Sequence, residues 1–400
     1  MTVRPFRWVV VVALVAVRCL AGGVASGSAA AAPAVWQVSA AAELATAIAR
    51  LGDFDYDTRT AAARALRRVS PSAVVPVLAA AVASHADGYV RYRALVLLTG
   101  FDDGLAHDVA FGLLDDPNDR LRGVAYAYFE HHADAAITPK LLAALKAEAS
   151  EFVRPAIVRA LASLGNEADV RTALIREVDR GEDFFRSTVI EALGDYEAVY
   201  ALEVLIRVAG QDGPLQDDAI VAIGKIGTPG ALRALGAAQR GASRALRSSI
   251  AAASCLLGVD CPAQVGYLKD ALRYASGQEA YQGELRSVCA GLGALAARGH
   301  AAALAVLLDG GHDAPERVRA PIALALGTAA LRNRAFVVSA LGARFDRVGA
   351  IDLLVEAFDM FQEDYEEERF YAGLRRSYWA AEAGSAERAL AEEIINRLQF

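Results

Sequence analysis

Six histidines, four cysteines and no Cys-x-x-Cys pair in 400 residues offer little from which to build a zinc centre or a thioredoxin-type redox site. Gly-x-Ser-x-Gly, P-loop and dinucleotide-binding patterns are all missing, so the common hydrolase, nucleotide and nicotinamide chemistries have no support in the sequence. Aromatic residues make up only 8 %, and β-branched runs are few. The 55 % of apolar residues comes largely from alanine, which points to helices packed closely through small side chains. Glycine pairs such as Gly291-Leu292-Gly293 fall inside helical patterns, where small size permits close approach. Basic residues are too scarce to balance the acids: 41 Lys and Arg stand against 48 Asp and Glu, a net charge of −7. Nucleic acid demands a basic stripe, and anionic membrane surfaces attract basic clusters; neither is an expected partner.

What is present begins with an address. Arg4 and Arg7 precede an apolar run of ten residues, Trp8 to Val17, and a small-residue stretch from Ala21 to Ala32 follows. This is the layout of a secretory signal peptide over residues 1–30, with cleavage after Ala25, Ala30 or Ala32, and a short linker over 31–40. The run is too short to span a bilayer and Arg18 interrupts it. Retention as an N-terminal membrane anchor is the alternative, and Cys19 raises lipidation, although Arg18 stands where a lipobox needs a small residue. Removing residues 1–30 takes away three arginines and no acid, which moves the net charge from −7 to −10. An exported, periplasmic protein is the expectation, with no membrane insertion once the signal is cleaved. In an oxidising compartment Cys255 and Cys261 are candidates for a disulfide across a short helix-end loop; the other reading makes Cys255 and Cys289 small core residues.

The rest of the chain has a beat. An apolar residue followed by arginine opens a short Ala/Leu helix pattern at Arg59, Arg91, Arg122, Arg154, Arg186, Arg247 and Arg319, with weaker copies at Gln216 and Arg286. The intervals are 32, 31, 32, 32, 30, 31, 39 and 33 residues, a period that marks stacked supersecondary units. Counting from Arg154, Val153, Ile157 and Leu161 form one helical face, Pro155 lies in the first turn, and Gly165 closes the helix in the left-handed conformation. A second helix over 168–178 follows. Acidic or amide residues recur three or four positions before the anchors (Asp87, Asn118, Asp119, Glu151, Glu182, Asp183, Asp212, Glu316), where they cap the first helices and come near the arginines of adjoining units. The seven arginines are therefore read as a structural ladder of Arg–carboxylate bonds.

The phrase Asp-x-x-Val-Arg-x-x-Ala-x-x-Ala-Leu-x-x-Leu-Gly resembles HEAT repeats, particularly the short bacterial kind of the phycobilin lyases, over about residues 40 to 330. The resemblance implies an all-α fold: a right-handed α-α superhelix of about nine helical hairpins over 41–331, with an atypical C-terminal helical cap over 332–400. It also implies that the second helices (73–83, 104–114, 137–148, 168–178, 199–208 and 230–239) line the concave, partner-binding face. It says little of function, because the family includes scaffolds, transport adaptors, lyases, hydroxylases and DNA glycosylases.

No catalytic set emerges. His131-His132 with Glu130 and Asp134 is the one local metal-like cluster, but adjacent helical residues diverge by roughly 100°, so the pair reads as a solvated helix end. Asp115-Asp116-Pro117-Asn118-Asp119 lacks an EF-hand's glycine and distal glutamate and reads as an inter-repeat turn. No His-Glu dipeptide of the di-iron hydroxylases occurs. No metal and no cofactor are expected. The interval lengthened by Tyr267, Tyr274 and Tyr281 and the aromatic, acidic C-terminus break the beat. Tyr365, Tyr371, Tyr378 and Trp379 are there the candidate partner-binding residues, against the plainer reading of an end cap. The expected function is a non-enzymatic scaffold holding a protein or peptide on its concave face. The alternative is a lyase- or isomerase-like enzyme acting on a small molecule in the superhelix groove.

Overall fold

The computed structural model describes residues 34–101, 104–240, 242–361 and 364–399. The chain divides into two compact units, 1–42 and 43–400. Helix α1 (Ala34–Arg50) supplies what is described of the first and begins inside the stretch read above as a linker. The targeting segment and Cys19 lie outside the described residues. Among the described residues no strand occurs, and no helix is long and apolar enough to cross a membrane.

Nine hairpins follow, each opened by one of the nine anchors. Their first helices are α2 (Tyr56–Arg67), α4 (Gly88–Thr99), α6 (Asp119–His131), α8 (Arg154–Ser163), α10 (Asp183–Asp195), α12 (Gln216–Ile226), α14 (Arg244–Leu256), α16 (Gln282–Ala297) and α18 (Glu316–Arg332). The second helices are α3 (Pro71–Ser84), α5 (Gly104–Gly112), α7 (Thr138–Ala147), α9 (Ala168–Glu177), α11 (Leu202–Ala209), α13 (Pro229–Ala238), α15 (Cys261–Ser276), α17 (Ala301–Gly311) and α19 (Arg334–Gly342). Three more helices, α20 (Arg347–Met360), α21 (Asp364–Ala380) and α22 (Ala386–Arg397), complete the chain. The array therefore runs to 342 rather than 331, because α19 packs back on α18 as a ninth second helix. The 39-residue interval is taken up by α15, which is 16 residues long, and by a 3-10 turn at Glu279–Tyr281.

Local signals set these boundaries. Asp55, Asp87 and Asn118 accept from the backbone N–H of Thr58, Tyr89 and Arg120, capping α2, α4 and α6. Pro71, Pro229 and Pro262 open second helices, where a missing N–H costs nothing. Gly165 is not left-handed; that conformation belongs to Gly227, which closes α12 at φ 73°.

The two layers of helices differ in how closely they stack. From α4 to α18 successive first helices pack on one another, and α18 packs in turn on α20; glycine sits at several of the crossings. A Cβ on Gly194 would come within 2.7 Å of the Ala222 Cα, and one on Gly224 within 2.5 Å of the Ala253 Cα. Gly293 lies somewhat less tightly on Ala325, where a Cβ would come within 3.0 Å of the carbonyl oxygen. Backbones that approach this closely shorten the layer they belong to, so the array curves with its first helices inside. Contact between α12 and α16, two repeats apart, follows from that curvature. The expectation that second helices line the concave face is thus reversed.

The anchors also act differently from the expected ladder. Their commonest partner is a backbone carbonyl at the end of the preceding helix or in the turn after it: Arg91 donates to Val82 O, Arg186 to Val178 O, Gln216 to Ala209 O and Arg319 to Gly311 O at helix ends, and Arg122 to Asp116 O and Arg247 to Ala242 O in turns. A side-chain donor there satisfies orphan carbonyls and complements the helix dipole. Among the described residues Arg59 donates hydrogen bonds to backbone carbonyls, those of Asp53 and Phe54. Carboxylates join at Arg91–Asp116 (2.7 Å), Arg122–Glu148 (2.8 Å), Arg154–Glu177 (2.9 Å), Arg186–Asp183 (3.0 Å) and Arg319–Glu356 (2.6 Å). Of these acids only Asp183 lies three or four residues before an anchor; Glu148 and Glu177 sit at second-helix ends, Asp116 in the turn after α5, and Glu356 in α20.

The close crossings make a prediction that opposes helix propensity. Gly224→Ala should destabilise by about 1–3 kcal/mol, since overpacking against the Ala253 backbone outweighs alanine's gain. Gly236→Ala, on a second helix with open space around it, should be neutral or stabilising. Urea denaturation of the two variants distinguishes the layers; equal effects would show that the first helices do not meet so closely.

Candidate functional site

The inside of the curve is lined by first helices, and it has two parts. Beside α4, α6 and α18 it is filled by the chain's own helix α21. Glu368 is fully buried and accepts two bonds from Arg67, with Arg375 at 3.3 Å. Glu366 takes the His131 Nε2 at 2.6 Å and Arg369 at 2.9 Å, and Arg369 also reaches the Leu331 carbonyl. At the chain end Arg64 donates to Gln399 O.

These contacts relocate several candidate residues. Tyr365 and Tyr371 are buried, 6 % and 9 % exposed, so no partner reaches them. Tyr365 lies against Tyr128 and His131, and Tyr371 lies under the Arg67 guanidinium at 5.2 Å. Burial drives both phenols well above their ordinary pKa. Tyr378 is half-buried and Trp379 exposed, packed edge to face with Arg388 over both rings. His131 and His132 are not a solvated helix end: His131 is paired with Glu366, and His132 stacks on Tyr128. Sequence reasoning missed Glu368, Glu366 and Arg67, whose pairings span 301 residues for Arg67–Glu368 and 235 for His131–Glu366 and leave no local trace.

A polar network ties first helices together across the curve. Arg159 holds Glu130 at 2.8 Å and Asp195 at 3.1 Å, Lys225 holds Asp195 at 2.6 Å, and the Tyr196 hydroxyl donates to Glu130. Arg332, from the ninth hairpin, reaches both Glu130 (3.5 Å) and Asp195 (3.6 Å). Burial alone would raise the Asp195 carboxyl, but Lys225, Arg332 and Arg159 together hold it far below the carboxylate range. Glu366 is likewise buried, yet the His131 hydrogen bond and the charges of His131 and Arg369 bring it down to about 2.

The second part of the curve is open. A groove of about 680 Å³ runs over α8, α10, α12, α14, α16 and α18 and their ends, from Arg159 and Tyr196 to Leu324 and Arg332. Its floor is small or apolar: Val221, Ala222, Ala290, Gly293, Ala294, Pro321 and Ala325. Most of its carboxylates are committed. Asp217 accepts from the hydroxyls of Ser249 and Ser287, and Asp218 from Ser187 at 2.7 Å. Desolvation, reinforced by the charges of Glu191 and Asp217, pushes Asp218 up to about 6 against the Ser187 bond. Glu191 and Arg286 are exposed in the groove. Of the nine anchors Arg286 alone has no hydrogen-bond or ion-pair partner among the described residues. Outside the groove, the lengthened interval brings Tyr274 and Tyr281 together with centroids 5.1 Å apart and rings tilted by 38°, with Arg244 4.4 Å above Tyr274.

Lowering of Glu366 carries a stability consequence. A carboxyl depressed by folding contributes stability that is present above its free value, near 4.5, and is lost as pH falls towards about 2. Glu366→Gln should therefore flatten the acid limb of the stability profile over that window, and an unchanged limb would show that Glu366 is not held by His131. Glu368→Ala, which strands Arg67 in the core, should cost about 3–5 kcal/mol in chemical denaturation.

Comparison with known proteins agrees with this architecture. The family model described as HEAT repeats matches residues 43–128. No curated protein sequence matches the chain. Among solved structures, YibA of E. coli aligns at 18 % identity over 55 % of this chain and 82 % of its own, with a TM-score of 0.41. The complex of CpcE and CpcF of phycocyanin lyase from Nostoc sp. PCC7120 aligns at 24 % identity, 52 % and 86 % coverage and TM-score 0.34. A Kap121p mutant aligns at 13 % identity, 90 % and 50 % coverage and TM-score 0.43. TM-scores below 0.5 give these likenesses no weight of their own. Residues 43–128 thus match HEAT repeats, and the same hairpin grammar continues from there to residue 342.

Proposed function

We propose that unit 43–400 is a non-enzymatic scaffold that holds an extended polypeptide in the open groove over α8 to α18. One observation carries this reading: the groove is lined by six first helices whose polar groups are fixed in place, with Glu191 and Arg286 left exposed to engage a ligand. Hydroxyl-bound Asp217 and Asp218 offer a preorganised wall, and Leu324, 40 % exposed, supplies an apolar contact. A channel crossing six repeats suits a chain better than a compact metabolite. Export to an oxidising compartment belongs to the same proposal; the layout of residues 1–30 supports it, and so does the Cys255–Cys261 disulfide.

The enzymatic alternative has one observation in its favour. Asp218, raised to about 6 by desolvation, has the poise of a general acid or base and lies in the groove.

Two experiments separate the readings. A photoreactive phenylalanine analogue in place of Leu324 should crosslink a polypeptide in the native extract, whereas the same analogue in place of Leu232, exposed on the second helix α13, should not. Arg286→Glu should weaken the Leu324 crosslink; equal capture from both positions, or none, overturns the groove. For Asp218 the sign is opposite to that of Glu366. A carboxyl raised by folding costs stability as pH climbs through about 6, so Asp218→Asn should stabilise by about 1–2 kcal/mol at pH 8 and change little at pH 4. If partner capture is unaffected by Asp218→Asn, the carboxyl plays no part in recognition; loss of a turnover activity would favour the enzyme.

A further inference from the structure

Two clusters of metal-ligating side chains occur among the described residues, and their surroundings differ. Glu130, His131 and Glu366 already share Arg159, Arg332 and Arg369, whose charges oppose a cation. Cys255, Cys261 and His300 take part in no ion pair among the described residues. Cys255 lies in the last turn of α14, Cys261 is the first residue of α15, and His300 stands at the N-cap of α17. Three helix ends thus bring two sulfurs and an imidazole together. His300 Nδ1 lies 3.5 Å from the Cys261 Sγ and 3.9 Å from the Cys255 Sγ, and among the described residues no carboxylate or amide competes for it.

These separations match a metal site in which only one distance is wrong. With sulfur about 2.3 Å and imidazole nitrogen about 2.0–2.1 Å from a tetrahedral ion, sulfur and nitrogen lie about 3.5 Å apart and the sulfurs about 3.8 Å apart. The nitrogen is already in place. What forbids the ion is the Cys255–Cys261 disulfide, which occupies the electrons the ion needs.

We propose that Cys255, Cys261 and His300 form a redox-gated site for a thiophilic d10 cation, Zn²⁺ or Cu⁺, closed while the disulfide stands and opened by an external dithiol. Access decides the order of events. Cys255 is buried and Cys261 half-buried, so one thiolate of the dithiol attacks the Cys261 sulfur. The S–S bond breaks, the bonding pair leaves on Cys255, and a mixed disulfide forms on Cys261. The second thiol then displaces Cys261 and closes the dithiol into its own disulfide. Two electrons pass from dithiol to protein, and two cysteine thiols result. The ion binds as both thiols lose their protons to solvent, with His300 Nδ1 as third ligand and water in the fourth position. The N-terminus of α15 favours the thiolate of Cys261. Half-burial of His300 and Cys261 leaves a path in. The partnerless Cys289 is buried in α16 and is no ligand.

The test uses the full chain, reduced with a phosphine that is then removed, and probes it separately with Zn²⁺ against a chromogenic chelator and with Cu⁺ against a cuprous chelator. Reduced protein should take up one equivalent of at least one of the two ions, and disulfide-bonded protein none. Cobalt substitution should give a thiolate charge-transfer band with tetrahedral d–d absorption. Cys255→Ser and Cys261→Ser should each abolish uptake, and His300→Ala should weaken it by about tenfold or more. Cys289→Ser should bind like the parent chain, and circular dichroism checks that each variant keeps its helices. Failure of the reduced chain to bind either ion stoichiometrically overturns the proposal, as does a His300→Ala variant that binds as tightly as the parent.

Discussion

The close approach of first helices is the constraint on which the rest of this structure depends. Two packed helices stand 8–10 Å apart, the value set by the side chains at their contact. Gly194 against Ala222, Gly224 against Ala253 and Gly293 against Ala325 put almost nothing there. The second helices bury larger residues, such as Leu141, Leu174, Leu205 and Leu235. A two-layer array whose layers differ in spacing must bend towards the tighter layer, and bending brings helices from distant repeats within reach. Arg332 then meets Glu130, and α21 finds α4 and α6 beside α18.

Closure of that kind is made with charge rather than with apolar surface. Buried ion pairs contribute little net stability because desolvation offsets their attraction, but an unmatched partner is costly. Glu130, Arg159, Asp195, Lys225 and Arg332 therefore act less as adhesive than as a fit test: any other registry would leave one of them buried alone. Glu368 does the same for α21, since it is fully buried and pairs with Arg67 and Arg375. Helix α21 is in this sense part of the fold, and the aromatic residues that make it look like a docking surface are its core contacts.

Much of the array was legible because its causes are local. An anchor, an Ala/Leu face and a cap recur within thirty-odd residues, so the hairpins and nearly all their boundaries follow from periodicity. The side of the array that faces inward was not legible from that pattern, because curvature is decided by which helices carry glycine at crossings between repeats. The anchors' partners were half legible: acids at second-helix ends or in the turn after them join Arg91, Arg122 and Arg154, but the carbonyls they share the work with have no sequence identity. Tyr365 and Tyr371 illustrate the limit best. Their composition suits an interface, and they are in one, but the other side is α4, α6 and the Arg67 guanidinium of the same chain.

The groove over α8 to α18 is what remains of the inner face after the chain has satisfied its own charges. That history explains its character. Asp195, Lys225 and Arg159 are spent on one another, and Asp217 and Asp218 on serine hydroxyls, so the wall is polar without being strongly charged. A ligand that enters meets fixed dipoles and small side chains, which need no reorganisation and impose little loss of side-chain freedom. Selectivity then falls to the groups left over. Arg286 is the anchor with no hydrogen-bond or ion-pair partner among the described residues, and it lies where the repeat interval changes from 39 to 33 residues. The helix it belongs to follows the 3-10 turn at Glu279–Tyr281 rather than a second helix directly, and its exposed guanidinium lines the groove.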